Sequence, residues 1–215
     1  MSSPELVDYY RRRAAEYEEI YAWPERQADL DLLRREIPAR LAGRNVLEVA
    51  CGTGYWTERI ARTAKRIVAI DLAEEPLVIA RAKVYACPVE LRSGDAYRLG
   101  ESLGSFDGAF AGFWWSHVPI PGRAAFLRSL HGRLERGATV VMFDNRYVEG
   151  AMHPIAESDA QGNTYQLRRL ADGSEHRVLK NFPSEEELRR SLAGLASTVR
   201  YLPLRYYWLL EYRLP

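Results

Sequence analysis

The stretch Leu47-Glu48-Val49-Ala50-Cys51-Gly52-Thr53-Gly54 runs from apolar residues into two closely spaced glycines, with an acid just ahead of them. Glycines let a backbone turn tightly and approach a ligand with no Cβ in the way. A second apolar run, Arg66-Ile67-Val68-Ala69-Ile70, is closed by Asp71, 17 residues after Gly54. Ligands of open α/β sheets bind at the carboxyl ends of the strands. A carboxylate there suits the two hydroxyls of a ribose, so the spacing points to a nucleoside cofactor. The bland alternatives are an empty glycine turn and an aspartate that only caps the next helix.

A dinucleotide fingerprint wants glycine or alanine three residues after the second glycine. Here that position is Thr57, preceded by Tyr55 and Trp56, and such bulk would crowd a pyrophosphate on the helix N-terminus. The order acid-x-Ala-x-Gly-x-Gly, an acid after the second strand, and Gly94-Asp95-Ala96 after the third instead resembles the class I S-adenosylmethionine-dependent methyltransferases. The resemblance covers roughly residues 6–144 plus the closing strands, and Ala50 replaces the family's first glycine. It implies S-adenosylmethionine as cofactor, cradled by Glu48, Ala50, Gly52, Gly54 and Trp56. It also implies Asp71 and Leu72 at the ribose, Asp95 and Ala96 at the adenine, and Phe113 beside them. The segment Asp8–Tyr17 is similar to the family's leading helix, in which Tyr10 and Arg13 are expected to hold the cofactor's carboxylate. The alternative is that its tyrosines pack the helix on the sheet.

Methyl transfer from a sulfonium is an in-line displacement, so alignment supplies most of the catalysis. The acceptor is expected near Phe113-Trp114-Trp115-Ser116-His117-Val118-Pro119, where aromatic rings can face a cationic sulfonium. Trp114 and Trp115 are either pocket lining or core. His117 is a general base for a hydroxyl or amine, a hydrogen-bond partner of an anion, or a loop cap. His131 reads as surface, and His153 and His176 stay open. Substrate identity belongs to residues 145–183, with Arg146, Tyr147, Arg168, Arg169, Arg177 and Lys180 as its polar inventory. The 113–119 segment together with 167–174 and 178–182 resembles, more weakly, a bacterial phosphonate O-methyltransferase. That resemblance implies Arg168 and Lys180 as anion ligands beside His117, although Trp114-Trp115 and the 150–164 loop do not match it.

The elements that must position these residues follow from periodicity. Helices are expected over 4–21 and from Pro24 to about Leu41, then strands at 45–50, 66–70, 89–92, 106–111 and 138–143 separated by helices. Such alternation argues a Rossmann-like α/β fold with a mostly parallel, seven-stranded sheet. Tyr165–Leu170, Ala171-Asp172-Gly173 and His176–Lys180 read as a β-hairpin. Pro183-Ser184-Glu185 opens a last helix, and strands near 197–202 and 205–213 close the sheet. The expected organisation is one domain: a helical lid over 1–42, a cofactor core over 43–144, a substrate-side insertion over 145–183, and closing elements over 184–215.

With 215 residues, 30 Lys+Arg and 29 Asp+Glu, the chain has no polyanion-binding charge excess. No Asn/Asp-Pro-Pro-aromatic segment follows the fourth strand, which disfavours a flipped nucleic-acid base. Two cysteines make no disulfide framework or metal-ligand spacing, and no metal is expected. No secretory signal or membrane span is expected, so the expected compartment is the cytoplasm. The leading expectation is methylation of an oxygen of a small acid or oxyanion. The others are His117-assisted methylation of a hydroxyl, phenol or amine, a nicotinamide-dependent oxidoreductase, and a noncatalytic cofactor-binding protein. The 13 tyrosines and 5 tryptophans are expected to line part of the pocket.

Overall fold

Val46, Leu47, Val49 and the run 67–70 are buried on both faces, the pattern of parallel strands covered by helices on each side. The computed structural model describes residues 4–215; Met1, Ser2 and Ser3, which begin the expected lid segment, lie outside the described residues. In chain order the strands are β1 (Asn45–Val49), β2 (Arg66–Asp71), β3 (Val89–Ser93), β4 (Phe106–Gly112) and β5 (Leu134–Asn145). Then come β6 (Glu157–Ser158), β7 (Thr164–Arg169), β8 (Glu175–Leu179), β9 (Thr198–Pro203) and β10 (Tyr207–Arg213). The main sheet has seven strands in the order β3-β2-β1-β4-β5-β10-β9. Strands β1 to β5 pair in parallel, and β10 runs antiparallel to both β5 and β9. The order reverses between β1 and β4, which opens a crevice at their carboxyl ends.

Helices α1 (Pro4–Arg13), α2 (Gln27–Arg40), α3 (Tyr55–Ile60), α4 (Glu74–Arg81), α5 (Arg123–His131) and α6 (Glu185–Ser191) complete the fold. Leu30, Leu33, Ile37, Ile60 and Leu77 bring α2, α3 and α4 onto one sheet face. Phe126, Leu127, Leu130 and Leu188 bring α5 and α6 onto the other. The start of α6 carries the capping box its sequence suggests: Glu187 N–H donates to Ser184 Oγ at 3.2 Å, and Ser184 N–H donates to Glu187 Oε2 at 2.7 Å.

Three local features differ from expectation. The 4–21 segment is an α-helix only to Arg13 and continues as a 3₁₀-helix over Ala14–Tyr21. Tertiary ties hold that tighter turn: Thr53 Oγ1 donates to Glu18 at 2.7 Å, Lys83 pairs with the same carboxylate, and Tyr21 stacks on Tyr55 at 3.5 Å. Strand β5 starts at Leu134 rather than 138, with an irregular register against β4 where Gly137 takes φ +73. The hairpin β7–β8 gains the short strand β6 and forms a three-stranded sheet.

Helix α1 lies against that hairpin. Leu6 and Tyr9 from α1 meet Leu170 and Val178 in a small apolar cluster. Arg11 reaches across to Glu75 on α4 at 2.9 Å, so α1 bridges the hairpin and the cofactor side of the sheet.

Candidate active site

Two cavities meet at the crevice. The first, about 720 Å³, is bordered by Ala50, Gly52 and Thr53 after β1, and by Asp71, Leu72 and Ala73 after β2. Gly94 and Ala96 after β3, and Phe113, Trp114 and His117 after β4, close it, while Leu6, Val7, Tyr10 and Tyr17 roof it. Ala50 (φ 53) and Phe113 (φ 54) are the non-glycine residues with positive φ among the described residues. They sit at the ends of β1 and β4, on either side of the switch point. Backbone strain of this kind persists where surrounding structure imposes it, and it marks functional sites.

Asp71 is organised by the glycine turn. Its Oδ2 accepts from Gly52 N–H at 2.8 Å and its Oδ1 from Ala73 N–H at 2.9 Å. Burial pushes its carboxyl pKa up, against the lowering effect of these backbone donors. Asp71 borders the cavity, and a carboxylate can accept more hydrogen bonds than these two. Gly52 has φ +56, and no atom lies within 4 Å of where a Cβ would stand. The turn therefore leaves open space beside a fixed carboxylate, which fits the ribose end of S-adenosylmethionine.

Other expected cofactor residues stand elsewhere. Gly54 does not border the cavity; its absent side chain makes room for α4, since a Cβ would lie 2.6 Å from the Tyr85 hydroxyl and 3.1 Å from Ala80 Cβ. Trp56 is core, packed on Phe143 at 4.9 Å. Glu48 is buried beneath the turn, and burial pushes its carboxyl up to about 8. Asp95 turns its Oδ1 to Tyr97 N–H at 3.0 Å, between the cavity-bordering Gly94 and Ala96. Arg13 borders the second cavity instead of the first.

The second cavity, about 1090 Å³, is walled by Tyr10, Tyr17 and Phe113, which it shares with the first. Around it stand Arg13, Arg26, Arg168 and Lys180, with Asn145, His153 and Gln166, and no carboxylate borders it among the described residues. Strand parity explains the hairpin's share. Arg168 faces inward, donating to Gln166 Oε1 at 2.8 Å and to the Tyr9 hydroxyl at 3.4 Å. Arg177, across from Leu167, faces outward over Tyr165 and pairs with Glu157. Arg169 is exposed, as are Arg146 and Tyr147.

Lys180 is buried, with Nζ 3.0 Å from Asp144 Oδ1 and 2.7 Å from Ser116 Oγ. Burial lowers its pKa to about 8 although Asp144 pulls the other way. His117 is also buried. Its Nδ1 lies 2.6 Å from the Leu179 carbonyl oxygen, an acceptor only, so Nδ1 carries the proton. Nε2 then accepts from the Tyr10 hydroxyl at 2.7 Å. Burial, then Lys180 and Arg168, keep the imidazole pKa well below its ordinary value, and burial pushes the Tyr10 phenol up to about 12.

The aromatic pair does not line the second cavity. Trp114 borders the first, beside Tyr97, and Trp115 is core against Phe126. Tyr17, Arg26, Asn145 and Gln166 border the second cavity without having been singled out by sequence. Tyr17 shares the helical stripe of Tyr10, a signal that was present. Arg26 reaches Ala151 O, 125 residues away, and no local pattern encodes that. His131, read as surface, is partly buried and bonds the Tyr212 hydroxyl at 2.8 Å.

A doubly wound sheet with a glycine turn after β1, a carboxylate at the end of β2 and an adjoining second chamber is the architecture of a nucleoside-cofactor enzyme. A family described as methyltransferase domain matches residues 46–137. The chain is 31% identical over 169 residues to the ubiquinone biosynthesis O-methyltransferase of Nitrosococcus oceani, covering 74% of this chain and 67% of that one. A relative of the same name from Pseudomonas paraeruginosa is matched over 45% of its length. Among solved structures, a DhpI–SAH complex superposes with a TM-score of 0.81 at 26% identity, covering 98% of this chain and 95% of that one. A DhpI-SAM-HEP complex gives 0.77 at 26% identity, covering 100% of both chains. The chain belongs to the S-adenosylmethionine-dependent methyltransferases, which sets aside the oxidoreductase and noncatalytic readings. Among the described residues, no helix is long and apolar enough to cross a membrane.

Proposed function

We propose that this methyltransferase acts on an oxygen of a small anionic acceptor, a phosphonate, phosphate monoester or carboxylate. The observation that carries this reading is the second cavity's lining of Arg13, Arg26 and Arg168, with Lys180 paired to Asp144 behind it and no carboxylate bordering the cavity among the described residues. Bound S-adenosylmethionine supplies a methyl group on a sulfonium, open to in-line displacement by an acceptor oxygen. Asp71 accepts the ribose hydroxyls, and the open space at Gly52 admits the nucleoside. Phe113, Tyr10 and Tyr17 form the wall across which the two chambers communicate.

An acceptor oxyanion is already ionised at neutral pH and needs positioning rather than a base. Arg168 and Lys180 supply that positioning beside the shared wall, where Lys180 Nζ stands 5.9 Å from the Phe113 ring. His117 is a positioning residue in this reading. Both its nitrogens are engaged, and using Nε2 as a base requires the Tyr10 hydroxyl to leave it. Residues 4–42 and the hairpin serve as a lid, with α1 roofing both chambers.

The test is release of S-adenosylhomocysteine from the purified protein with S-adenosylmethionine and a panel of small phosphonates, phosphate monoesters, carboxylates, phenols and amines. Turnover confined to the anions supports the proposal. Turnover confined to phenols or amines overturns it.

A further inference from the structure

Arg26 is not accounted for by methyl transfer. It is 3% exposed, yet no carboxylate lies within ion-pair distance of it among the described residues. One of its nitrogens donates to Ala151 O at 2.8 Å, and its Nε has no partner. Its Cζ lies 4.2 Å from the Trp23 ring, 5.3 Å from Tyr206 and 5.8 Å from Tyr207. Rings attract a cation, but a buried guanidinium held by one carbonyl, the Tyr207 hydroxyl and three rings still lacks a counter-charge. Arg26 borders the second cavity, so the missing counter-charge has a place to come from.

Its position within that cavity is distinct from that of the other cations. Arg168 touches Tyr9, and Lys180 lies by Phe113, at the wall shared with the cofactor chamber. Trp23, Ala151 and Tyr207, the surroundings of Arg26, border only the second cavity. Tyr207 intervenes, its ring 5.8 Å from Phe113 on one side and 5.8 Å from Arg26 Cζ on the other.

We propose that Arg26, framed by Trp23 and Tyr207, is a second anion subsite, and that the acceptor carries a carboxylate at the end remote from the methylated oxyanion. This rests on the anionic-acceptor reading and narrows it to two-ended anions. A guanidinium fork matches a carboxylate in geometry as well as charge.

The test uses the full chain saturated with S-adenosylhomocysteine and measures binding by calorimetry for two probes of similar length, phosphonopropionate and propylphosphonate. The wild type is expected to favour phosphonopropionate by roughly tenfold, as for a charge-assisted pair. Arg26→Gln collapses that ratio toward one, and Arg26→Lys, which keeps the charge, retains part of it. Equal affinity of the two probes for the wild type overturns the subsite while leaving the anionic-acceptor reading standing. A ratio that survives Arg26→Gln while both affinities fall together overturns it as well, because Arg26 then only holds the Ala151 loop. Failure of the wild type to bind either probe overturns both readings.

Discussion

The Tyr10 hydroxyl donates to His117 Nε2 at 2.7 Å, joining the roof helix to the loop after β4 at the first chamber. Tyr10→Phe removes the donor and leaves a buried imidazole nitrogen unpaired. The folded state is expected to lose about 1–3 kcal/mol, the desolvation cost of such an orphan. Thermal denaturation with and without S-adenosylhomocysteine measures it, and an unchanged melting temperature would sink the idea.

Burial, and the Leu179 carbonyl at Nδ1, fix the state of His117. Burial holds its pKa well below the ordinary value, so the ring is neutral, with the proton on Nδ1, throughout the window from about pH 7 to 8. Nitrogen-detected NMR of the imidazole should show one tautomer and no titration there. A midpoint inside that window would contradict the arrangement.

Lys180 does titrate near neutrality. With a pKa of about 8 it is cationic below that pH and neutral above it, so acceptor affinity is present at low pH and lost as pH rises through about 8. Acceptor KM should climb toward tenfold per pH unit beyond that point. Lys180→Arg, whose guanidinium does not titrate in this range, should flatten the profile. Stability moves the opposite way. Between about 8 and the ordinary 10.5 the unfolded chain holds more protons, so this group makes the fold more stable as pH increases.

The two glycines of the turn separate into two roles. Gly54→Ala places a Cβ against Tyr85 and Ala80 at φ +77, and is expected to lower stability by roughly 1–3 kcal/mol. Gly52→Ala meets no atom and costs about 1–2 kcal/mol for its backbone conformation, but fills space in the cofactor chamber. Denaturant melts should rank Gly54→Ala as the less stable variant. Cofactor titration, each variant compared with its own melt, should rank Gly52→Ala as the weaker binder.

Asp71→Asn presents an amide NH₂ where a backbone N–H now donates, either at Gly52 or at Ala73. Cofactor affinity is expected to fall about tenfold or more, as when a charged hydrogen-bond partner is lost. Equilibrium binding of S-adenosylhomocysteine checks it, and a Kd equal to the wild type's would refute the ribose role.

The centre of the sheet was legible because β1, β2 and β4 are short apolar runs buried on both faces. The place of Asp71 at the end of β2, bordering the first chamber, was legible for a related reason: ligands of such sheets bind at the carboxyl ends of the strands. What periodicity does not carry is the partner of a side chain. Trp56 sits in the cofactor motif yet packs on Phe143, and Trp115 sits in the aromatic loop yet packs on Phe126. Arg13 and Arg26, on either side of the Ala14–Tyr21 3₁₀-helix, meet the second cavity together with residues 150–154. Those are tertiary ties, written in residues far apart along the chain.

Strand parity in β7 divides the hairpin into residues that border the second chamber and residues that face solvent, Arg168 on one side and Arg169 on the other. On the proposed function, drift in the outward half would leave the chemistry untouched, while the inward half would set what is bound. A one-residue slip of β7 against β8 would turn Gln166 and Arg168 out of the chamber, whereas a two-residue slip would only slide them along it. The hairpin is thus a place where new substrate preferences can be acquired in discrete steps, independently of the cofactor half that the rest of the chain protects.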